Sequence, residues 1–379
     1  MATIPSIAMI PSGVKASKLY SVLPTDGTGD FTTTRASVAT RVNENGLIEE
    51  VASNVPRLDY SDGGCPSLLL EPASTNLITT SQLFNTGWWS KDGDITITDN
   101  SEISPLGDLT SSLISYDLAS RSLYKSPLGL TGHYTFSIYL KANGVNVGKT
   151  IQIDLDGIVY YVTLTNEWVR SEFQTTNLNV LQITNRGAST ISTGEFSAFG
   201  AQVEANSYAT SYVKTLGTTQ TRVADTATGS GNSTVINSTE GVLYFESSTL
   251  QGLGDRKISL SDGTATNRIE IVFAGLGNLI YIDIKNSNGL NIGENKTISS
   301  SVSLLKKYAV RWSNSNYSFW VNGVKEIEVL SGNTFNVNSL STVNLSNYSN
   351  TQNFQGKVKS VQVYKTALSD TELTTLTTI

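Results

Sequence analysis

Between Lys306 and Val329 the chain reads KKYAVRWSNSNYSFWVNGVKEIEV, two stretches in which alternate residues are apolar, each closed by a polar turn. Tyr308, Val310 and Trp312 fall on one face of the first stretch, and Tyr317, Phe319 and Val321 on one face of the second. That is the side-chain period of strands half-buried against a core. A helix would scatter the same residues around its axis, so this segment has to pair as strands. A further alternating stretch, GKVKSVQVY, leads into Ser369-Asp370-Thr371-Glu372, an acidic helix start.

The same alternation recurs upstream. In HYTFSIYLKA, Phe136, Ile138 and Leu140 face one way while Thr135, Ser137, Tyr139 and Lys141 face the other. Further strands are read in DITITD, TIQIDL, IVYYVTLT, WVRSEF, LQIT and EFSAFGAQVE, separated by turns such as Asp156-Gly157 and Ser192-Thr193-Gly194. A second set comprises GVLYFESS, RKISLSD, RIEIVFAG, LIYIDIK, KYAVRW, SFWVNG, EIEVL, TVNLS and KVKSVQVY. With charged residues at only 15% and Ser, Thr and Asn abundant, the chain lacks the residues of a helical protein. The fold class is therefore all-β: two antiparallel β-sandwich (jelly-roll) domains, at 76–225 and 240–379. Residues 226–239, TATGSGNSTVINST, are small and polar and are read as a linker. Residues 1–75 are crowded with turn signals around short apolar pieces, Leu47-Ile48 and Leu68 to Leu70, that cannot form a core alone. They are read as an extended N-terminal attachment arm that orders on neighbouring chains.

With a net charge of −6 and no basic cluster larger than a pair such as Lys306-Lys307, the chain is not expected to bind nucleic acid. One cysteine, Cys65, precludes an intrachain disulfide and is read as a small buried side chain. The opening MATIPSIAMIPSGVKASK has no basic region ahead of its apolar residues, and Pro5 and Pro11 interrupt it, so a secretory signal is not expected. No run approaches the roughly 18 apolar residues of a membrane span, so no membrane insertion is expected.

No catalytic residue is expected. Triad and Cys-His chemistry need a histidine beside the nucleophile, and His133, the single histidine, opens a strand after Gly132. Glycoside hydrolysis needs two placed carboxylates; the nearest arrangement, Glu326 and Glu328, is read as a solvated strand face. Calcium is the cation that loop oxygens could hold. Its candidates are Asp154-Leu155-Asp156-Gly157, Asp92-Gly93-Asp94 and Asp255 with Asp262, with no ligand set assigned, because Asp-Gly equally makes turns. For binding, Trp88, Trp89 and Trp320 break the burial pattern and are read as surfaces on which a sugar ring could stack.

Three segments carry a family resemblance. The first is IPSGVKASKLYSVLPTDGTGDFTTTRASVATRVNENGLIEEVASNVPRLDY with CPSLLLEPASTNLI, and the second is FGAQVEANSYATSYVKTLGTTQTRVAD. Both resemble bacteriophage tail and head fibre proteins, the second at the exit of a carbohydrate-binding-like jelly roll. The third, the Lys306–Leu373 ending, resembles laminin-G-like (concanavalin A-like) domains. The resemblance implies a homotrimeric virion fibre, joined to other virion proteins by the arm, released by lysis, and adhering to host-surface glycans. A decoration protein without ligand and a polysaccharide depolymerase are the alternatives.

Overall fold

The alternation is realised strand by strand in a computed structural model that describes residues 3–250, 254–275, 279–297 and 301–379. Met1 and Ala2, at the start of the expected arm, lie outside the described residues. Strand pairing is antiparallel throughout the described sheets. The chain divides into two compact units: 1–38 with 51–72 and 223–379, and 39–50 with 73–222.

In the first unit, one sheet runs in the order Val324–Val329, Asn316–Val321, Lys306–Ser313, Gly241–Thr249, Gly356–Tyr364, Ser67–Leu70 and Arg57–Asp59, with Ile7–Met9 also pairing to Gly356–Tyr364. The facing sheet is Asn291–Thr297, Leu279–Lys285, Arg268–Phe273, Arg256–Ser261 and Thr342–Asn344. Between them the inward residues of each strand form one core, including Phe245, Tyr308, Val310, Trp312 and Phe319 from one sheet and Ile258, Ile271, Phe273 and Ile282 from the other. Tyr308 stacks on Phe245 at 4.7 Å and meets Phe273 edge-on at 5.5 Å. The buried Trp312 indole donates to the carbonyls of Asn237 and Ser238. Gly241 is required beneath it, because a Cβ there would lie 2.4 Å from the Trp312 ring.

The outer face of the larger sheet is covered by the helix Asp370–Thr377. At eight residues it is too short to persist alone. A capping box between Ser369 and Glu372 starts it, and Asp370 is tied to Arg311 at 2.7 Å and Lys325 at 2.8 Å. The hydrogen bond from Lys325, helped by Arg311, holds the Asp370 carboxyl below its ordinary range. Beneath the helix lie Val242, Tyr244, Ala309, Trp320 and Tyr364, with Leu368 and Leu373.

Residues 1–75 are shared between the two units instead of extending as one arm. The short apolar pieces that could not make a core become strands of a larger one: Ile7, Met9, Leu68 and Leu70 are buried in the first unit, and Ile48 in the second. Cys65 is exposed, correcting the expectation of burial, since it follows the Gly63-Gly64 turn ahead of the strand. Residues 226–239 are ordered as well. Thr226–Thr228 pairs with Phe31–Thr34, and Ala227 and Ile236 are buried. Small residues here serve close packing: a Cβ on Gly231 would lie 2.8 Å from Ile236 and 2.9 Å from Ile7.

Beside these strands four charged side chains are buried together. Asp225 accepts from Arg35 at 3.0 Å and from Arg57, and Arg57 also donates to Glu71 at 2.6 Å. Asp225 further accepts the Glu71 backbone N–H at 3.0 Å, and Arg35 donates to the carbonyls of Ser37, Val51, Ala52 and Val55. Burial works to lower the Arg57 pKa, but Glu71 and Asp225 outweigh it and hold the group above its ordinary value.

The second unit is a sandwich of two five-stranded sheets. One is Ser90–Asp92, Ser122–Lys125, Leu181–Thr184, Thr150–Leu155 and Ile158–Thr163; the other is Ile95–Ile103, Leu109–Tyr116, Gly194–Glu204, Leu130–Ala142 and Val169–Leu178. Ile114, Tyr116, Leu123, Phe136, Ile138, Ile151, Ile153, Ile183 and Phe196 fill the space between them. The string AQVE…TSY acts as a clamp on the outer face of the second sheet. Buried Glu204 accepts from Ser74, Gln202 and the Thr210 N–H and hydroxyl, and the Gln202 carbonyl accepts the Val213 N–H. Tyr212 is thereby pressed onto Phe199 with Ile48, its hydroxyl 2.6 Å from Ser81 Oγ.

Two outcomes are expected. Asp225→Asn, which removes the charge two guanidiniums face, lowers stability by about 3–5 kcal/mol in urea denaturation. Leu373→Ala costs about 2–3 kcal/mol and red-shifts tryptophan emission; the shift disappears when Trp320→Phe is combined with it.

Candidate functional site

Of the three tryptophans read as sugar platforms, the structure buries two and half-buries the third. Trp320 is only 4% exposed under the C-terminal helix, donating to Ser318 Oγ at 3.1 Å, which corrects its expected surface position. The alternation correctly put it opposite Phe319, but the helix packs on that second face. Trp89 is likewise buried, stacked on Phe84 at 5.3 Å. Trp88 is half-buried against the same core, edge-on to Trp89, with Lys125 Nζ 5.4 Å from its ring centre.

Several of the acids considered for calcium are engaged in turns and ion pairs, while Asp255 is exposed. Asp92 pairs with Arg186, and Asp94 with Arg121. Asp156 accepts the N–H groups of Asn179 and Val180, and Asp262 those of Thr264 and the Asn267 amide. Among the described residues no group of three or more His, Cys, Asp or Glu side chains is placed to hold a metal ion. Glu326 sits at a register shift of the edge strand Val324–Val329, and Glu328 pairs with Lys325. His133 is exposed at the irregularity between Thr131 and Tyr134.

A different constellation emerges from strand order. In the Ser90–Asp92 sheet of the second unit, Leu123, Ile151, Ile153, Leu155, Leu181 and Ile183 are buried inward, so their alternates face out. The register sets these alternates side by side in two rungs. One is Asp92, Ser122, Thr184, Gln152 and Tyr161; the next is Ser90, Tyr124, Gln182, Asp154 and Val159.

The first rung is roofed by the loop after Thr184. Arg186 pairs with Asp92 and donates to the Ser120 carbonyl, and the Ala188 N–H donates to the Tyr161 hydroxyl. Gly187, at φ +63°, lies so close that a Cβ would be 2.6 Å from Gln152 Oε1 and 2.7 Å from the Tyr161 hydroxyl.

The second rung is open. Tyr124, Gln182 and Asp154 are half-buried, and Val159 is 42% exposed. The Gln182 carbonyl accepts from Ser122 at 3.0 Å, and Asp154 Oδ1 accepts the Gly157 N–H at 2.7 Å. Gln182 Nε2, Asp154 Oδ2 and the Tyr124 hydroxyl have no partner among the described residues. A ring, an amide and a carboxylate thus lie in line over two strand spacings, about 10 Å. Their backbones are fixed by the sheet, and the residues are partly open to solvent. Such a row can take a polyhydroxylated ring, whose hydroxyls match the amide and carboxylate and whose C–H face matches tyrosine and valine.

The corresponding outer face in the first unit is occupied by its own charges. Lys257 pairs with Glu270 and Arg268 with Asp283, and Arg268 lies 5.3 Å from the ring centre of Tyr348. Sequence reasoning named Asp154 only as a cation ligand and passed over Tyr124 and Gln182. Alternation in TIQIDL and LQIT marks the outward residues; the order of strands that joins them is not written locally.

No protein-family model matches the chain, and no curated protein does. Parts of the chain are similar to solved structures. The CBM40 of a Ruminococcus gnavus IT-sialidase, bound to α2,3-sialyllactose, is 18% identical, over 40% of this chain and 93% of that one, with a TM-score of 0.34. Domain 4 of AbnA, a GH43 arabinanase from Geobacillus stearothermophilus in complex with arabinotriose, is 14% identical over 41% and 73%, at 0.35. A pentraxin from Limulus polyphemus is 11% identical over 37% and 70%, at 0.30.

Gly187→Ala is expected to lift the loop off the first rung, lowering stability by about 1–2 kcal/mol for the left-handed backbone alone, read as a fall in thermal midpoint.

Proposed function

We propose that this protein is a non-catalytic glycan-binding component of a bacteriophage fibre, adhering to host-surface polysaccharide. The observation that carries the binding role is the open rung of Tyr124, Gln182 and Asp154: Gln182 and Asp154 are each anchored through one oxygen, and the remaining polar atoms of the three have no partner among the described residues. The role is binding rather than cleavage in this reading, since the rung presents a single carboxylate where glycoside hydrolysis takes two. Virion location, attachment to other virion proteins and trimeric assembly rest on the resemblance of the N-terminal and FGAQVE…TRVAD segments to fibre proteins. The N-terminal part of the attachment surface would then be a folded one, because Ile7–Met9 and Ser67–Leu70 are already strands of a sheet. A shallow face with few contacts binds weakly as a single site, and repetition along a fibre raises its avidity.

The test is binding of fluorescently labelled protein to bacterial strains with and without their capsule. Saturable binding that disappears with the capsule is expected. Tyr124→Ala and Gln182→Ala each weaken it about three- to tenfold, measured below the thermal midpoint of each variant. Capsule binding indifferent to both substitutions would remove the rung from the role.

A further inference from the structure

We infer that the open rung selects uncharged polysaccharide and rejects chains that carry carboxylates, with Asp154 as the residue that makes the distinction. This rests on the glycan-binding reading and narrows its ligand.

The argument is one of local charge. On the outward side of this sheet the charged residues of the two rungs are Asp92 and Asp154. Asp92 is neutralised by Arg186, whose guanidinium is drawn to the roofed rung and further held by the Ser120 carbonyl. Asp154 forms no ion pair among the described residues: it takes the Gly157 N–H on one oxygen, and the other has no partner among them. The next acid along the chain, Asp156, accepts two backbone N–H groups and adds negative charge at the same end. The nearby cations are engaged elsewhere, Lys125 over the Trp88 ring and Lys91 on the Asn85 side chain.

A carboxylate with a free oxygen is a strong acceptor for sugar hydroxyls, which are donors in every neutral sugar. The same oxygen repels a uronate or other acidic substituent at contact distance, and no cation on the rung compensates. At about 4 Å, like charges at a protein surface weaken binding at least about fivefold even with the full screening of water. Gln182 adds an N–H donor for a hydroxyl or ring oxygen, and Val159 and Tyr124 add apolar surface, so Asp154 is the group on the rung that senses ligand charge.

The experiment uses the full chain and a panel of uronate-containing capsular polysaccharides. Each is immobilised in its native form and after carboxyl reduction, which turns uronates into neutral sugars on an unchanged backbone. Wild-type protein is expected to bind reduced forms at least about fivefold more tightly than native ones. Asp154→Asn, which keeps an oxygen to accept the Gly157 N–H, is expected to shrink that ratio towards one while weakening binding to reduced forms. Equal or tighter binding to native forms, or a ratio unaltered in Asp154→Asn, overturns the selection while leaving glycan binding in place. No binding to either form, or to neutral polysaccharides such as arabinan and β-glucan on the same surface, overturns both.

Discussion

Four charges out of water, Arg35, Arg57, Glu71 and Asp225, hold together parts of the chain that are far apart in sequence. Two guanidiniums and two carboxylates sum to zero, which makes burial tolerable; their gain comes from geometry, since each has several partners in fixed directions. Around them the strands Arg57–Asp59 and Ser67–Leu70 join the sheet led by the C-terminal hairpin, and Thr226–Thr228 joins Phe31–Thr34. Hydrophobic burial drives these segments together and fixes which face of each strand turns inward, but a slip of two residues keeps that face. The ion network supplies the register by demanding that Asp225 meet both arginines.

The second unit solves a related problem with uncharged donors. Glu204 is a buried carboxylate that accepts from hydroxyls, an amide and a backbone N–H. Its donors come from three places in the chain, so the segment after the last strand folds back over one sheet. That closes one outer face. On the opposite sheet the short loop Asn185–Thr190 crosses the outer face and roofs one rung, leaving the next partly open among the described residues.

What was legible in the sequence was local. Alternation located the strands, and placed Tyr308, Val310 and Trp312 in a core that the structure gives them. It also put Trp320 on the face opposite, but could not tell that an eight-residue helix would cover that face, because a helix start says nothing about where it docks. The short apolar pieces of the first 75 residues were seen, while the partners that bury them lie hundreds of residues away. For the same reason the open rung was not legible: Tyr124, Gln182 and Asp154 come from three separate strands, and only pairing register makes them neighbours. The Thr- and Gly-rich stretch 226–239 misled in another way, since small residues signal tight packing as readily as looseness.

Pairing of Ile7–Met9 with Gly356–Tyr364 joins the two ends of the chain's history. During synthesis Ile7–Met9 leaves the ribosome with only the bridge from Ala8 to Leu23 within reach, and its sheet partner is complete once residue 363 has been added. The continuous block 73–222 can meanwhile complete its sandwich. Closing so long a loop last is slow.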